Sequence, residues 1–160
     1  MKGSLRVLIT GILLGTVVIF SSCNRNVVIN KMLNTPTPYW NYNDPLNFKV
    51  VITDTNSTYN CFLSISHTKD YPWMNTFFLI TTTFPNMEIK TDTIECLVAD
   101  YQGKWIGQGI GKYKNISYLF KRHIRFPIPG EYQFEIQQAM RIDTLSEIKR
   151  IGLKIMKNPQ

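Results

Sequence analysis

The chain has 160 residues, 44% hydrophobic and 18% charged, a balance that suits one folded domain with a single core and excludes an intrinsically disordered segment. Its 18 basic and 11 acidic residues give a formal net charge of +7. The basic residues are scattered, with Lys121, Arg122 and Arg125 the densest group, so the charge reads as a solvated mixed surface and not as a footprint for nucleic acid.

In chain order, the first element is a targeting segment. Lys2 and Arg6 make a positive start, and residues 7–20 form an apolar run broken only by Thr10, Gly11, Gly15 and Thr16. That length fits a signal-peptide core of ~7–15 residues better than a membrane span of ~20. Phe20, Ser21 and Ser22 then lead into Cys23. This arrangement resembles a bacterial lipobox, with Phe20 where Leu is usual. The reading is a signal peptide over residues 1–22, cleaved so that Cys23 becomes acylated and holds the protein on a lipid bilayer. An uncleaved anchor helix with an incidental Cys23 is the bland alternative. Cleavage removes Lys2 and Arg6, so 16 basic residues face 11 acidic ones, a mature charge of +5. Each buried methylene contributes ~0.8 kcal/mol and one chain anchors only marginally, so durable attachment needs two or three chains.

Residues 23–38 read as the lipidated cysteine and a polar tether carrying Pro36 and Pro38, with a short strand fitting residues 27–32. Residues 39–160 read as the folded domain, and from residue 46 onward the pattern has period two. Leu46, Phe48, Val50 and Ile52 alternate with polar or outward positions, and Tyr59, Cys61, Leu63 and Ile65 repeat the alternation. Further strands are expected at 76–84, 91–100, 116–126, 130–140 and 151–155, with one short helical turn at 140–148. Short strands separated by turns predict an all-β fold, a single β-sandwich of jelly-roll or immunoglobulin-like type.

Catalytic chemistry finds no foothold. His67 and His123 lie far apart and no zinc spacing, HExxH helix or nucleophile elbow is present. The glycines at 103, 107, 109 and 111 lack the ending of a phosphate loop and read as turns and a bulge. Asp92, Glu95 and Asp100 line one strand region, but nothing selects an acid–base pair. The expectation is no enzyme, cofactor, metal or small-molecule substrate. Cys61 and Cys96 both sit on apolar strand faces; a disulfide needs Cα atoms within ~7 Å, which spacing does not fix, so a bridge and a pair of inert core thiols both stand. Tyr39, Trp40, Tyr42, Tyr71 and Trp73 either close the ends of the core or form a recognition surface. A carbohydrate-binding protein stacking sugars on Trp40, Trp73 or Trp105 is the alternative function.

Several segments carry a family resemblance: Tyr71-Pro72-Trp73-Met74-Asn75, Asp92-Thr93-Ile94-Glu95-Cys96, Ala99-Asp100, and Gly103 through Gly109 with Trp105 at its centre. Gly130-Glu131-Tyr132-Gln133-Phe134, Gln138-Ala139-Met140-Arg141 and Ile151-Gly152-Leu153 continue it. Together they resemble the GldH gliding-motility lipoproteins of the Bacteroidetes over roughly residues 39–156. The resemblance implies a membrane-attached, non-catalytic accessory of the gliding machinery and its associated protein secretion, with other envelope proteins as partners. It lends no catalytic residues. Tyr71, Trp73, Asn75, Asp100 and Trp105 are the polar-aromatic positions that would make a partner surface. Cys23 is followed by Asn24, Arg25 and Asn26, without the acidic residues that mark surface-exported lipoproteins of this phylum, so a periplasm-facing position is expected.

Overall fold

Alternation of apolar and polar side chains builds the strands that form the core. The computed structural model describes residues 26–159. In it the chain forms β1 (Val27–Asn34), β2 (Trp40–Asn41), β3 (Leu46–Ile52), β4 (Tyr59–Thr68) and β5 (Asn75–Thr83). These are followed by β6 (Ile89–Leu97), β7 (Tyr113–Ile124), β8 (Gly130–Gln138), β9 (Thr144–Leu145) and β10 (Ile148–Lys157). In β3, Phe48, Val50 and Ile52 are buried while Asn47, Lys49 and Val51 face out. Strand β8 repeats the device with Tyr132, Phe134 and Ile136.

Two four-stranded sheets result, in the orders β1-β10-β4-β7 and β3-β8-β5-β6, with β2 and β9 paired separately. Neighbouring strands are antiparallel throughout. Setting the two short strands aside, the chain shuttles between sheets in the order of a jelly roll, two Greek keys folded face to face. That decides between the two sandwich types the pattern allowed. Leu63, Ile65, Ile151, Leu153 and Ile155 of the first sheet meet Phe48, Phe78, Ile80, Tyr132 and Ile136 of the second, all essentially without solvent contact. Each such side chain contributes roughly 1.5–3 kcal/mol of burial.

Register defines two ends. Val27 pairs with Met156, Met156 with Asn60, Tyr59 with Ile124, Ile52 with Gly130, and Thr83 with Ile89. All of these lie at one end, the amino pole. The β4–β5, β6–β7 and β8–β10 connections gather at the opposite, distal pole.

One reading is extended and another changes. The short strand expected at 27–32 runs on to Asn34 as β1, hydrogen-bonded along β10, because Ile29 and Leu33 pack against the core. Residues 140–148 form bends and β9 in place of a helical turn. The buried Gln138 explains this: its amide nitrogen donates to the Ile142 and Asp143 carbonyls at 3.2 and 3.3 Å, and its oxygen accepts from Met140 N–H at 2.9 Å. A side chain that holds the backbone this way competes with helical hydrogen bonding. The signal peptide expected over residues 1–22 and the expected acylation site Cys23 lie outside the described residues.

Candidate functional site at the distal pole

His67 ends the buried face of β4 and Tyr71 follows in the loop after it; both are shielded from solvent. The His67 ring lies 5.7 Å from that of Tyr71 and 4.8 Å from that of Trp105, and Tyr71 meets Trp73 edge-on at 5.4 Å. His67 Nδ1 stands 2.8 Å from the Thr68 carbonyl. A carbonyl only accepts, so Nδ1 carries the proton, and burial pushes the imidazole pKa down, keeping the ring neutral. Among the described residues its Nε2 has no hydrogen-bond partner, nor have Ser66 Oγ and Thr76 Oγ1.

The β6–β7 connection is laid over this group by backbone bonds. Val98 and Ala99 N–H both donate to Met74 O, at 2.8 and 3.0 Å, and Ile106 N–H donates to Val98 O at 3.0 Å. Gln108 and Asn115 exchange bonds of 2.9 and 2.7 Å. Gly109 is obligatory here, since its φ of +157° is joined to a Cβ direction that would strike the Tyr113 carbonyl. The glycine-rich stretch thus forms turns, as expected, with the isolated bridges Ala99–Trp105 and Gln108–Asn115 where a bulge was expected. Its tips leave Tyr101 87% and Ile110 98% exposed.

Of the five positions proposed as a partner surface, Tyr71, Trp73 and Trp105 come together around His67. Asn75 stands beside them: its backbone carbonyl accepts from Tyr71 OH at 3.0 Å and its side chain donates to Glu95 Oε1 at 2.7 Å. Asp100 does not join them; its Oδ1 accepts the Gln102 and Lys104 N–H groups, each at 2.9 Å, and shapes its own turn. Trp40 is fully buried, its indole N–H donating to Asp44 O at 2.7 Å, so it offers no stacking face to a sugar. Cys61 and Cys96 are buried free thiols on opposite sheets, each pushed up to about 12 chiefly by burial. That is the state of inert core residues.

Beside Trp73 opens a groove of about 410 Å³ lined by Trp73, Phe77, Ala139, Met140, Arg141 and Ile142. Phe77 N–H points at Met140 Sδ, 3.4 Å away, and Ala139 N–H donates to Phe77 O at 2.8 Å. Sequence reasoning quoted Gln138 to Arg141 as a motif but gave it no role, and it missed His67 as the centre of the aromatic group. Period-two patterning says which face a residue takes, not which loops meet over it. Among the described residues, no three His, Cys, Asp or Glu side chains gather into a metal-holding group.

Residues 27–155 match the family model described as GldH lipoprotein. A relative named gliding motility lipoprotein GldH homolog, from Christiangramia forsetii, is 29% identical over 150 residues, covering 89% of this chain and 91% of its own. The gliding motility lipoprotein GldH of Flavobacterium johnsoniae is 25% identical over 158 residues, covering 94% and 98%. Among solved structures, the CBM22-1–GH10 modules of a Clostridium thermocellum xylanase align with 84% of this chain and 28% of that one at 8% identity. The TM-score is 0.32, too loose a likeness to carry function.

Proposed function

The chain belongs to the GldH lipoprotein family, and from that premise we propose that it is a lipid-anchored, non-enzymatic accessory of gliding motility and the associated protein secretion, facing the periplasm. The match over residues 27–155 carries the reading. Its Cys23 lies four residues before β1, a span of at most ~14 Å in extended chain. Acyl chains on that sulfur bring the amino pole against the bilayer. The ten-residue β4 and β10, at ~3.4 Å per residue, hold the distal pole about 30 Å further out, where it meets envelope proteins.

The chemistry of the distal pole supports contact over catalysis. Asp100 is committed to its turn, Asn75 to Glu95 and His67 Nδ1 to the Thr68 carbonyl, while the unpartnered His67 Nε2, Ser66 Oγ and Thr76 Oγ1 are buried away from solvent. Carbohydrate stacking is left with Trp73 and Trp105, both half-buried and packed on Tyr71 and His67, so the protein-contact reading is the stronger. Radiolabelled palmitate is expected to enter the full chain, and Cys23→Ser to release it from membranes and abolish complementation of a gliding-deficient deletion strain. Glu95→Gln and His123→Ala are expected to leave complementation intact. Failure of palmitate to enter overturns the anchor. Loss of function in folded Glu95→Gln or His123→Ala protein overturns the non-enzymatic assignment.

A further inference from the structure

The amino pole holds a second cavity, of about 300 Å³, between the sheets along the β6 and β7 edges. Phe84, Phe120, Ile124, Phe126 and Phe134 form its walls. Its position follows from the strand register. Between Tyr59 and Phe62, three residues of the β4 ladder are met by Ile124, Lys121 and Leu119, so β7 carries extra residues at two bulges. Bulges bend an edge strand away from its sheet. One of them includes His123, at a φ of +50°, with its N–H donating to Asn60 Oδ1 at 2.9 Å. The sandwich is thus parted where β7 leaves the ladder.

The rim differs from the walls. Lys90, Lys121 and Arg125 border the cavity together with one carboxylate, Asp92. Lys121 reaches across to Asp92 at 2.6 Å and straps the two edges together. Lys90 lies 5.6 Å above the Phe84 ring and 3.8 Å from Glu88. Arg125 makes no ion pair among the described residues. Phenyl walls under an excess of rim cations suit a molecule that is apolar at one end and anionic at the other; a sugar would find little to hydrogen-bond inside.

We propose that the phenylalanine-walled cavity between β6 and β7 takes an acyl chain of an anionic bilayer phospholipid, whose phosphate is held by Lys90 and Arg125. The lipid source rests on the anchoring reading, since the chain leaves the sandwich toward Cys23 at this same pole. A charged rim facing headgroups gains roughly 1 kcal/mol per cation, about fivefold in affinity. The site adds a grip on the membrane that is separate from the acylated cysteine and fixes which side of the domain meets it.

The test uses the full, acylated chain in phosphatidylcholine vesicles containing phosphatidylglycerol with a photoactivatable diazirine near the end of one acyl chain. Irradiation is expected to label the peptides holding Phe84, Phe120 and Phe126. Labelling is expected to fall about fivefold in each of Lys90→Gln and Arg125→Gln, exposed positions whose thermal melts should match the parent. The same diazirine chain on phosphatidylcholine is expected to label these peptides less. Label confined to residues 1–26, equal label from both lipids, or displacement by free fatty acid alone overturns the proposal. An intact mass lacking acyl chains sinks the anchoring reading; an acylated protein seated on vesicles with an unlabelled cavity sinks this inference only.

Discussion

At the distal pole, three loops are pinned to one another by backbone hydrogen bonds and by rings packed around a neutral His67; at the amino pole, the same two sheets are parted by bulges in β7 and joined across the gap by a lysine–aspartate pair. Both ends are rich in aromatic side chains. Tyr59, Phe126, Tyr132 and Phe84 form their own edge-on chain with centroids 4.8 to 5.3 Å apart. Aromatic content alone therefore does not decide whether an end is closed. What decides it is how much of the ladder continues to the rim, and how many backbone groups of the loops find partners there.

This contrast can be broken most forcefully at Tyr71. Removing its buried ring and its bond to Asn75 by Tyr71→Ala is expected to cost about 3–5 kcal/mol in chemical denaturation, whereas Phe120→Ala, which only widens an existing cavity, should cost less than half as much. Equal costs would mean that the poles are closed equally well. Next is the pH dependence. The folded pKa of His67 lies below its ordinary 6.5, so the unfolded chain binds the proton first as pH drops. Stability is fully present above about 6.5 and declines as pH falls toward the folded value, by no more than about 1.4 kcal/mol per unit. His67→Asn should flatten that decline, and a slope that survives the substitution would place its origin elsewhere.

A smaller effect, of opposite sign, is expected at Ser66. Its hydroxyl is buried without a partner among the described residues, so Ser66→Ala should leave stability unchanged or raise it by up to about 1 kcal/mol, read as a shift in melting temperature. Smallest is the strap at the amino pole. Lys121 and Asp92 are 35% and 31% exposed, and a double-mutant cycle with Lys121→Met and Asp92→Asn should return a coupling of ~0.2–1 kcal/mol. A much larger coupling would make the strap, and not the bulges, the determinant of the opening.

Strand positions were legible because period two is a local signal: β3 runs over Leu46–Ile52 as its alternation implies. The failures are equally physical. Residues 140–148 carry helix-compatible side chains, but Gln138 ties up their backbone from outside the segment. The strand expected at 27–32 stops short of the end of β1 because its face against the core carries Lys31 between Ile29 and Leu33, which weakens the alternation. Of the partner surface, Tyr71, Trp73 and Trp105 were legible as loop aromatics, while Asp100 looked available only because its turn bonds are invisible in sequence. Nothing local announces His67 as the hub, since its neighbours come from loops about 4 and 38 positions away, as their numbers show.

The antiparallel pairing of β1 with β10 has a mechanical meaning. Val27 and Met156 lie side by side at the amino pole, so a force applied between residues 26 and 158 peels the two strands apart one rung at a time. A pull between residue 26 and the distal β6–β7 loop instead runs along the strands and stretches every rung of that ladder at once. If the protein is held by lipid at one end and by a moving partner at the other, traction arrives in the second direction, the one a jelly roll resists best. Optical-tweezer experiments with those two attachment geometries should show the lengthwise pull breaking at a clearly higher force, and equal forces would rule the mechanical reading out.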